Sequence, residues 1–153
     1  MEKSIQETYA PKSICFGCGP ANEKGLRIRS FEVAGEYCAE WNAEKHHEAF
    51  PGMLNGGIIG ALLDCHSNWA AAHYMMKRDG KDGPDSTVTA SYSVKLLKPT
   101  PSNATIRLKA KVVESEGNKA KVEAELIAND DVCATFTGDF VAVREGHPAF
   151  HRW

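Results

Sequence analysis

The stretch FPGMLNGGIIGALLDCHSNWAAAHYMMKRDG, residues 50–80, restricts the fold more than any other. Asn55 is a favoured N-cap residue and is followed by a mostly apolar, proline-free run. Lys77 and Arg78 suit the negative end of a helix, and Gly80 suits a left-handed stop. The pattern predicts one helix of roughly 22 residues, about 33 Å long. Its first half is apolar around much of its circumference, so the helix is expected to be buried rather than amphipathic. Asp64 lies within that apolar half, although a carboxylate is costly to bury without a partner.

The other periodic segments alternate with period two, as half-buried antiparallel strands do. LRIRSFE (26–32) and EYCAEWN (36–42) flank a turn at Gly35 and read as a hairpin. Residues 43–54 read as a loop. After the helix, TVTASYSVKLL (87–97) places Val88, Ala90, Tyr92, Val94 and Leu96 on one face. ATIRLKAKVV (104–113), KAKVEAEL (119–126) and VCATFTGDFVAV (132–143) alternate in the same way, with turns expected at 116–118 and 129–131. The order β-β-α-β-β-β-β with a single buried helix has one economical solution. It is an α+β architecture, the hotdog fold, in which an antiparallel sheet of about six strands wraps one long central helix. The open sheet edge predicts self-association.

At 153 residues the chain suits a single domain spanning 1–153, with residues 1–13 expected to be a loosely held arm. A net charge of −2 offers no electrostatic case for nucleic acid. No apolar run reaches membrane-span length, and the polar start lacks the apolar core of a secretory signal. Five cysteines do not make a paired disulfide framework, so a reducing, cytoplasmic setting is expected.

Asn55-Gly56-Gly57 can be a plain helix start. It can also be an anion-binding helix N-terminus, where unpaired backbone N–H groups, approachable because the glycines lack side chains, meet a developing oxyanion. Asp64 can be a base or nucleophile, or a carboxylate satisfied by Ser67 or Asn68 one turn along. Eight residues of helix, about 12 Å, separate Gly56 from Asp64, so one chain cannot bring both to one carbonyl. Two such helices packed antiparallel in a dimer can.

PGMLNGGIIGALLD resembles the HGG-x6-D segment of hotdog acyl-CoA thioesterases of the phenylacetyl-CoA (PaaI-like) group. CFGCGPANEKGLRI (15–28) and VKLLKPTP (94–101) are similar to two further stretches of that group. The resemblance implies acyl-CoA hydrolysis to a carboxylic acid and free CoA, in a homodimer or homotetramer, without a metal and with no cofactor beyond the CoA of the substrate. It places Gly56 as the N–H donor to the thioester carbonyl and Asp64 as the carboxylate that activates water or attacks. Asn68 and Thr89 occupy polar positions beside the water, and His47 lies in the loop at the mouth of the site. Gly57, Ser67 and Lys98 join His47 as candidate substrate contacts. The family's usual histidine before Gly-Gly is Asn55 here, which can cap and hydrogen-bond but cannot titrate. Ala49 stands where some relatives carry a polar residue. Two other readings stay open: a non-catalytic acyl-CoA binding or sensor protein, and a hotdog dehydratase or hydratase.

Cys15-Phe16-Gly17-Cys18 supplies two thiols where a structural zinc site takes four ligands. No second CxxC follows, so a tight turn is expected and no metal. His66 and His73 read as interface or surface residues. The tail HPAFHRW (147–153) is expected to fold back onto an apolar surface. Lys95, Lys98 and Arg144 are candidate phosphate contacts or solvated cations.

Overall fold

The structure is a computed structural model and describes residues 2–153. The long helix, α2, spans Gly56–Arg78. Asn55 caps it by accepting the Ile58 N–H on its side-chain oxygen at 3.1 Å, and Gly80 takes a φ of +65° beyond its end. The expected α+β architecture is present. A six-stranded antiparallel sheet wraps α2 in the order β1-β2-β6-β7-β8-β5. The strands are β1 (Phe31–Val33), β2 (Glu36–Trp41), β5 (Thr87–Leu96), β6 (Ile106–Glu116), β7 (Lys119–Ala128) and β8 (Asp131–Ala142). Between β2 and α2, β3 (Glu48–Phe50) and β4 (Met53–Leu54) form a small separate ribbon.

The core is the seam between α2 and the inward residues of the sheet. Leu62, Leu63 and Trp69 of the helix are fully buried, as are Ile106, Leu108, Val122, Leu126, Ala134 and Phe140 of the strands. The inward residues of β6, β7 and β8 are the alternating sets read from the sequence except at the start of β8, where a register shift against β7 takes Val132 out of phase with Ala134 and leaves Cys133 buried. The β1–β2 connection carries positive φ at Ala34 and Gly35, and the β7–β8 connection at Asn129 and Asp130. This is the two-residue turn geometry that matches strand twist.

Three local readings need correction. The first strand is shorter than 26–32, because the Leu26 and Ile28 N–H groups bond to the carbonyls of Phe16 and Gly17 instead of entering the sheet. The N-terminal segment is not loosely held. Ser4 and Glu7 form a reciprocal capping box on a short helix, α1 (Ile5–Tyr9). Gln6 is fully buried. Its Nε2 donates to Ser30 Oγ and its Oε1 accepts the Ser30 N–H, both at 2.8 Å. His66 is not at an interface or surface but is fully buried. Its Nδ1 lies 2.7 Å from Ser30 Oγ, and its Nε2 lies 2.9 Å from the Tyr37 carbonyl. A carbonyl can only accept, so Nε2 carries the proton and Nδ1 accepts from Ser30. Burial depresses the His66 pKa to about 4, which keeps the ring neutral.

The fourth correction lies in β5. Its register against β8 shifts between Thr89 and Ser91, a bulge at Ala90. The bulge reverses the alternation. Thr87 and Thr89 face α2 before it, and Tyr92 and Leu96 face α2 after it. Val88 and Ala90 therefore do not share the Tyr92 face.

Candidate active site

Strand β5 runs antiparallel along α2 and meets it at a series of positions. A Cβ on Gly56 would touch Leu96 Cδ1 at 3.5 Å, and a Cβ on Gly60 would touch the Tyr92 hydroxyl at 3.7 Å. One helical turn further along, Thr89 Oγ1 donates to Asp64 Oδ1 at 2.7 Å. One turn beyond that, Thr87 Oγ1 donates to Asn68 Oδ1, also at 2.7 Å. The Ala90 bulge brings Thr89 into this row, so the partner of Asp64 comes from the neighbouring strand rather than from its own helix.

Asp64 is only partly buried. Burial raises its pKa, the Thr89 hydrogen bond lowers it, nearby Cys15 raises it, and the Arg152 guanidinium lowers it. Arg152 belongs to the C-terminal tail, which folds back as expected. Trp153 stacks on Trp69 with ring centroids 4.1 Å apart, and an Arg152 guanidinium nitrogen donates to the Thr87 carbonyl at 3.2 Å. The proximity of Arg152 to Asp64 is not legible in the sequence. The only signal was a cation in an aromatic tail.

At the start of α2, the first intrahelical bond runs from the Ile59 N–H to the Asn55 carbonyl at 3.1 Å. The N–H groups of Gly56 and Gly57 precede it, and both glycines are exposed. Gly57 also has to be small, since a Cβ there would come within 2.9 Å of Asn55 Oδ1. The Asn55 side chain is committed to the cap, and its own N–H donates to the His47 carbonyl at 3.0 Å. The residue at the family's histidine position therefore shapes the helix start.

The remaining candidates are dispersed. Ser67 is fully buried on the core face, and its hydroxyl finds no hydrogen-bond partner among the described residues. It makes no hydrogen bond to Asp64. Asn68 is buried, with its side-chain oxygen taken by Thr87. His47 is only 8% exposed. Its Nδ1 accepts the Glu44 N–H, and its ring packs 5.0 Å from Trp41. Burial lowers its pKa, and it props the loop before α2 rather than opening onto the site. Lys98 forms an ion pair with Asp131 at 3.3 Å.

The structure also gathers three thiols that the sequence reading kept apart. Cys15, Cys18 and Cys65 place their sulfurs within 4.8 Å of one another, although Cys65 is on α2.

No family model matches the chain, and no curated protein matches it. Solved structures do. The thioesterase superfamily protein from Shewanella loihica PV-4 superposes with a TM-score of 0.66 at 26% identity, over 82% of this chain and 98% of that one. The chain has the hotdog fold of the thioesterase superfamily. Two more distant structures share the hotdog architecture. The phenylacetic acid degradation-related protein of Ralstonia eutropha JMP134 matches with a TM-score of 0.64 at 23% identity, over 76% of this chain and 85% of that one. The PaaI protein of the E. coli phenylacetic acid degradation operon matches with a TM-score of 0.65 at 15% identity, over 78% and 81%. The resemblance carried by NGG-x6-D thus extends to the whole hotdog fold. Among the described residues, no helix is long and apolar enough to cross a membrane.

Proposed function

We propose that this chain is a thioester hydrolase acting on an acyl-CoA, with two identical sites at the interface of a homodimer. The observation that carries the reading is Asp64, a half-buried carboxylate held by Thr89 on the wall of a fold shared with the thioesterase superfamily. Asp64 and the exposed Gly56 N–H are too far apart along one helix to act on one carbonyl. Two copies packed along their open β5 edges, helices antiparallel, would set Asp64 of one subunit opposite Gly56 of the other. The exposed apolar side chains at that end support such a contact: Phe50, Tyr92, Leu96 and Leu97 are 49–60% exposed.

In this arrangement the helix N-terminus receives the carbonyl oxygen as it becomes an oxyanion. Asp64 takes a proton from water as the water oxygen bonds to the acyl carbon. The C–S bond then breaks, and CoA leaves as a thiolate that is protonated by solvent. Alternatively, Asp64 attacks directly and passes through a mixed anhydride. Single turnover in ¹⁸O-labelled water that leaves label on Asp64 identifies the anhydride route, with water attacking the Asp64 carboxyl carbon. Where water attacks the acyl carbon, both routes label the acid alike, and trapping of the acyl-enzyme with hydroxylamine separates them. The chemistry needs Asp64 ionised; burial raises its pKa on balance, and Thr89 and Arg152 act against that shift. Asn55 does not have to titrate, because its role is the cap.

The test is thiol release from a panel of short, long and aromatic acyl-CoAs, by wild type and Asp64→Ala, with the protein's own cysteines subtracted. Release by wild type and loss by orders of magnitude in the folded variant supports the reading. Acyl-CoA binding without release by wild type would make the protein a sensor. Release retained by Asp64→Ala would move the chemistry to another residue.

A further inference from the structure

The loop that opens the chain and the middle of α2 meet at sulfur. Cys15 and Cys18 come from the loop, and Cys65 from the helix turn that carries Asp64. All five cysteines are free thiols. The Cys15 and Cys65 sulfurs are 3.7 Å apart, and all three sulfurs of the cluster lie within 4.8 Å of one another. A tetrahedral zinc ion with Zn–S bonds of about 2.3 Å spaces its sulfurs by roughly 3.8 Å. The observed Cys15–Cys65 separation is thus that of two ligands on one ion.

The surroundings are built for sulfur. The loop is folded tightly at Cys15, whose carbonyl accepts the Gly19 N–H at 2.8 Å. The Trp69 indole N–H donates to Cys18 Sγ at 3.3 Å. Donors of this kind orient thiolate ligands and offset their charge. Gly17 has to lack a side chain, because a Cβ there would collide with the Cys65 sulfur. Gly19 has to lack one as well, since its Cβ would strike the Cys15 backbone. Cys18 is buried, whereas Cys15 and Cys65 are partly exposed.

We propose that Cys15, Cys18 and Cys65 form a three-thiolate zinc site whose fourth position opens to solvent beside Cys15. Thiolate ligands select a soft or borderline ion, and zinc takes three protein ligands plus water without redox chemistry. On binding, three S–H bonds break, three Zn–S bonds form and three protons pass to solvent. The ion ties the N-terminal loop to α2 one residue beyond Asp64. The proposal rests on the sulfur geometry and not on the hydrolase reading.

The experiment uses the full-length protein, reduced and stripped of metal with a chelator. It is titrated anaerobically with Co²⁺ and then with Zn²⁺. The expected result is a thiolate-to-cobalt charge-transfer band with the visible bands of tetrahedral cobalt, saturating at one ion per chain and displaced by zinc. Cys15→Ser, Cys18→Ser and Cys65→Ser each weaken binding by about a hundredfold or more, above the roughly 10–100-fold cost of losing an outer-shell partner. Cys38→Ser and Cys133→Ser leave it unchanged. Far-ultraviolet circular dichroism shows that each variant is folded, and the wild-type titration stands without any variant. A reduced wild type that gives no charge-transfer band overturns the proposal. So does full binding by Cys65→Ser, which would assign the ion to the loop pair alone or to the surface group Glu44, His46 and His47.

Discussion

The Thr89 hydroxyl donates to Asp64 Oδ1 at 2.7 Å, across the interface between strand β5 and helix α2. It answers the question a carboxylate in an apolar helix raises. Asp64 is stabilised by a strand residue 25 positions later in the chain, which a bulge turns toward the helix. Thr89→Val should lower turnover by roughly 10–150-fold, corresponding to the ~1.5–3 kcal/mol of a hydrogen bond to a charged group. The hydrogen bond lowers the Asp64 pKa, so its loss raises that pKa further. The carboxylate then protonates at higher pH, and the acid limb of the rate profile should move up. Thr89→Ser should restore most of both. An unmoved acid limb would mean that Thr89 does not act through Asp64.

Asn68 should behave differently from Asp64. Its oxygen is tied to Thr87 in a buried pair, so its contribution is to folding. Asn68→Ala should cost about 1–3 kcal/mol in urea unfolding by stranding the Thr87 hydroxyl. A variant of full stability that has lost its turnover would return Asn68 to the catalytic group.

Acid should destabilise the protein through His66. Its folded pKa of about 4 lies below the ordinary 6.5, so the unfolded chain takes up a proton that the folded one refuses. The stability conferred by the neutral ring is fully present above pH 6.5 and is lost as pH falls toward 4. The loss from this group is on the order of 3 kcal/mol. Urea midpoints measured from pH 7 to pH 4 read it directly, and a flat profile over that interval would contradict the buried neutral assignment.

The N-terminal helix shares that network, since Ser30 bonds both Gln6 and His66. Gln6→Ala should destabilise the fold by about 1–3 kcal/mol, because it leaves the buried Ser30 N–H without its acceptor. Hydrogen exchange should show residues 5–9 protected in wild type and released in the variant. Unprotected amides in the wild-type segment would restore the picture of a loose arm.

Leu96→Glu tests the subunit arrangement. Leu96 is 59% exposed beside Gly56, and a charge there would oppose the β5 contact between copies. Light scattering should find wild type as a dimer or larger and Leu96→Glu as a monomer, with hydrolysis lost in step. A monomer that keeps its turnover would place the whole site in one chain.

The sequence by itself determined the order of the long helix and the six strands of the main sheet, the limits of α2 and the antiparallel character of the strands. These follow from periodicity, caps and turn residues, which act over a few neighbours. Asn55, Gly80 and the inward sets of β6, β7 and most of β8 were legible for that reason. The first thirteen residues read as loose: the Ser4–Glu7 capping box was passed over, and nothing local shows that Gln6 finds Ser30. Only the tertiary structure decided which polar residue serves which partner. Ser67 and Asn68 were equally plausible neighbours of Asp64 on the helix, but the path of β5 gave Asp64 to Thr89, gave Asn68 to Thr87 and left Ser67 in the core. His66 is buried because Ser30 and the Tyr37 carbonyl meet at its ring. Cys65 reaches Cys15 across 50 residues of chain. Such contacts depend on where the backbone returns, and a one-residue bulge such as that at Ala90 reverses which side chains meet without changing the hydrophobic pattern that encodes the strand.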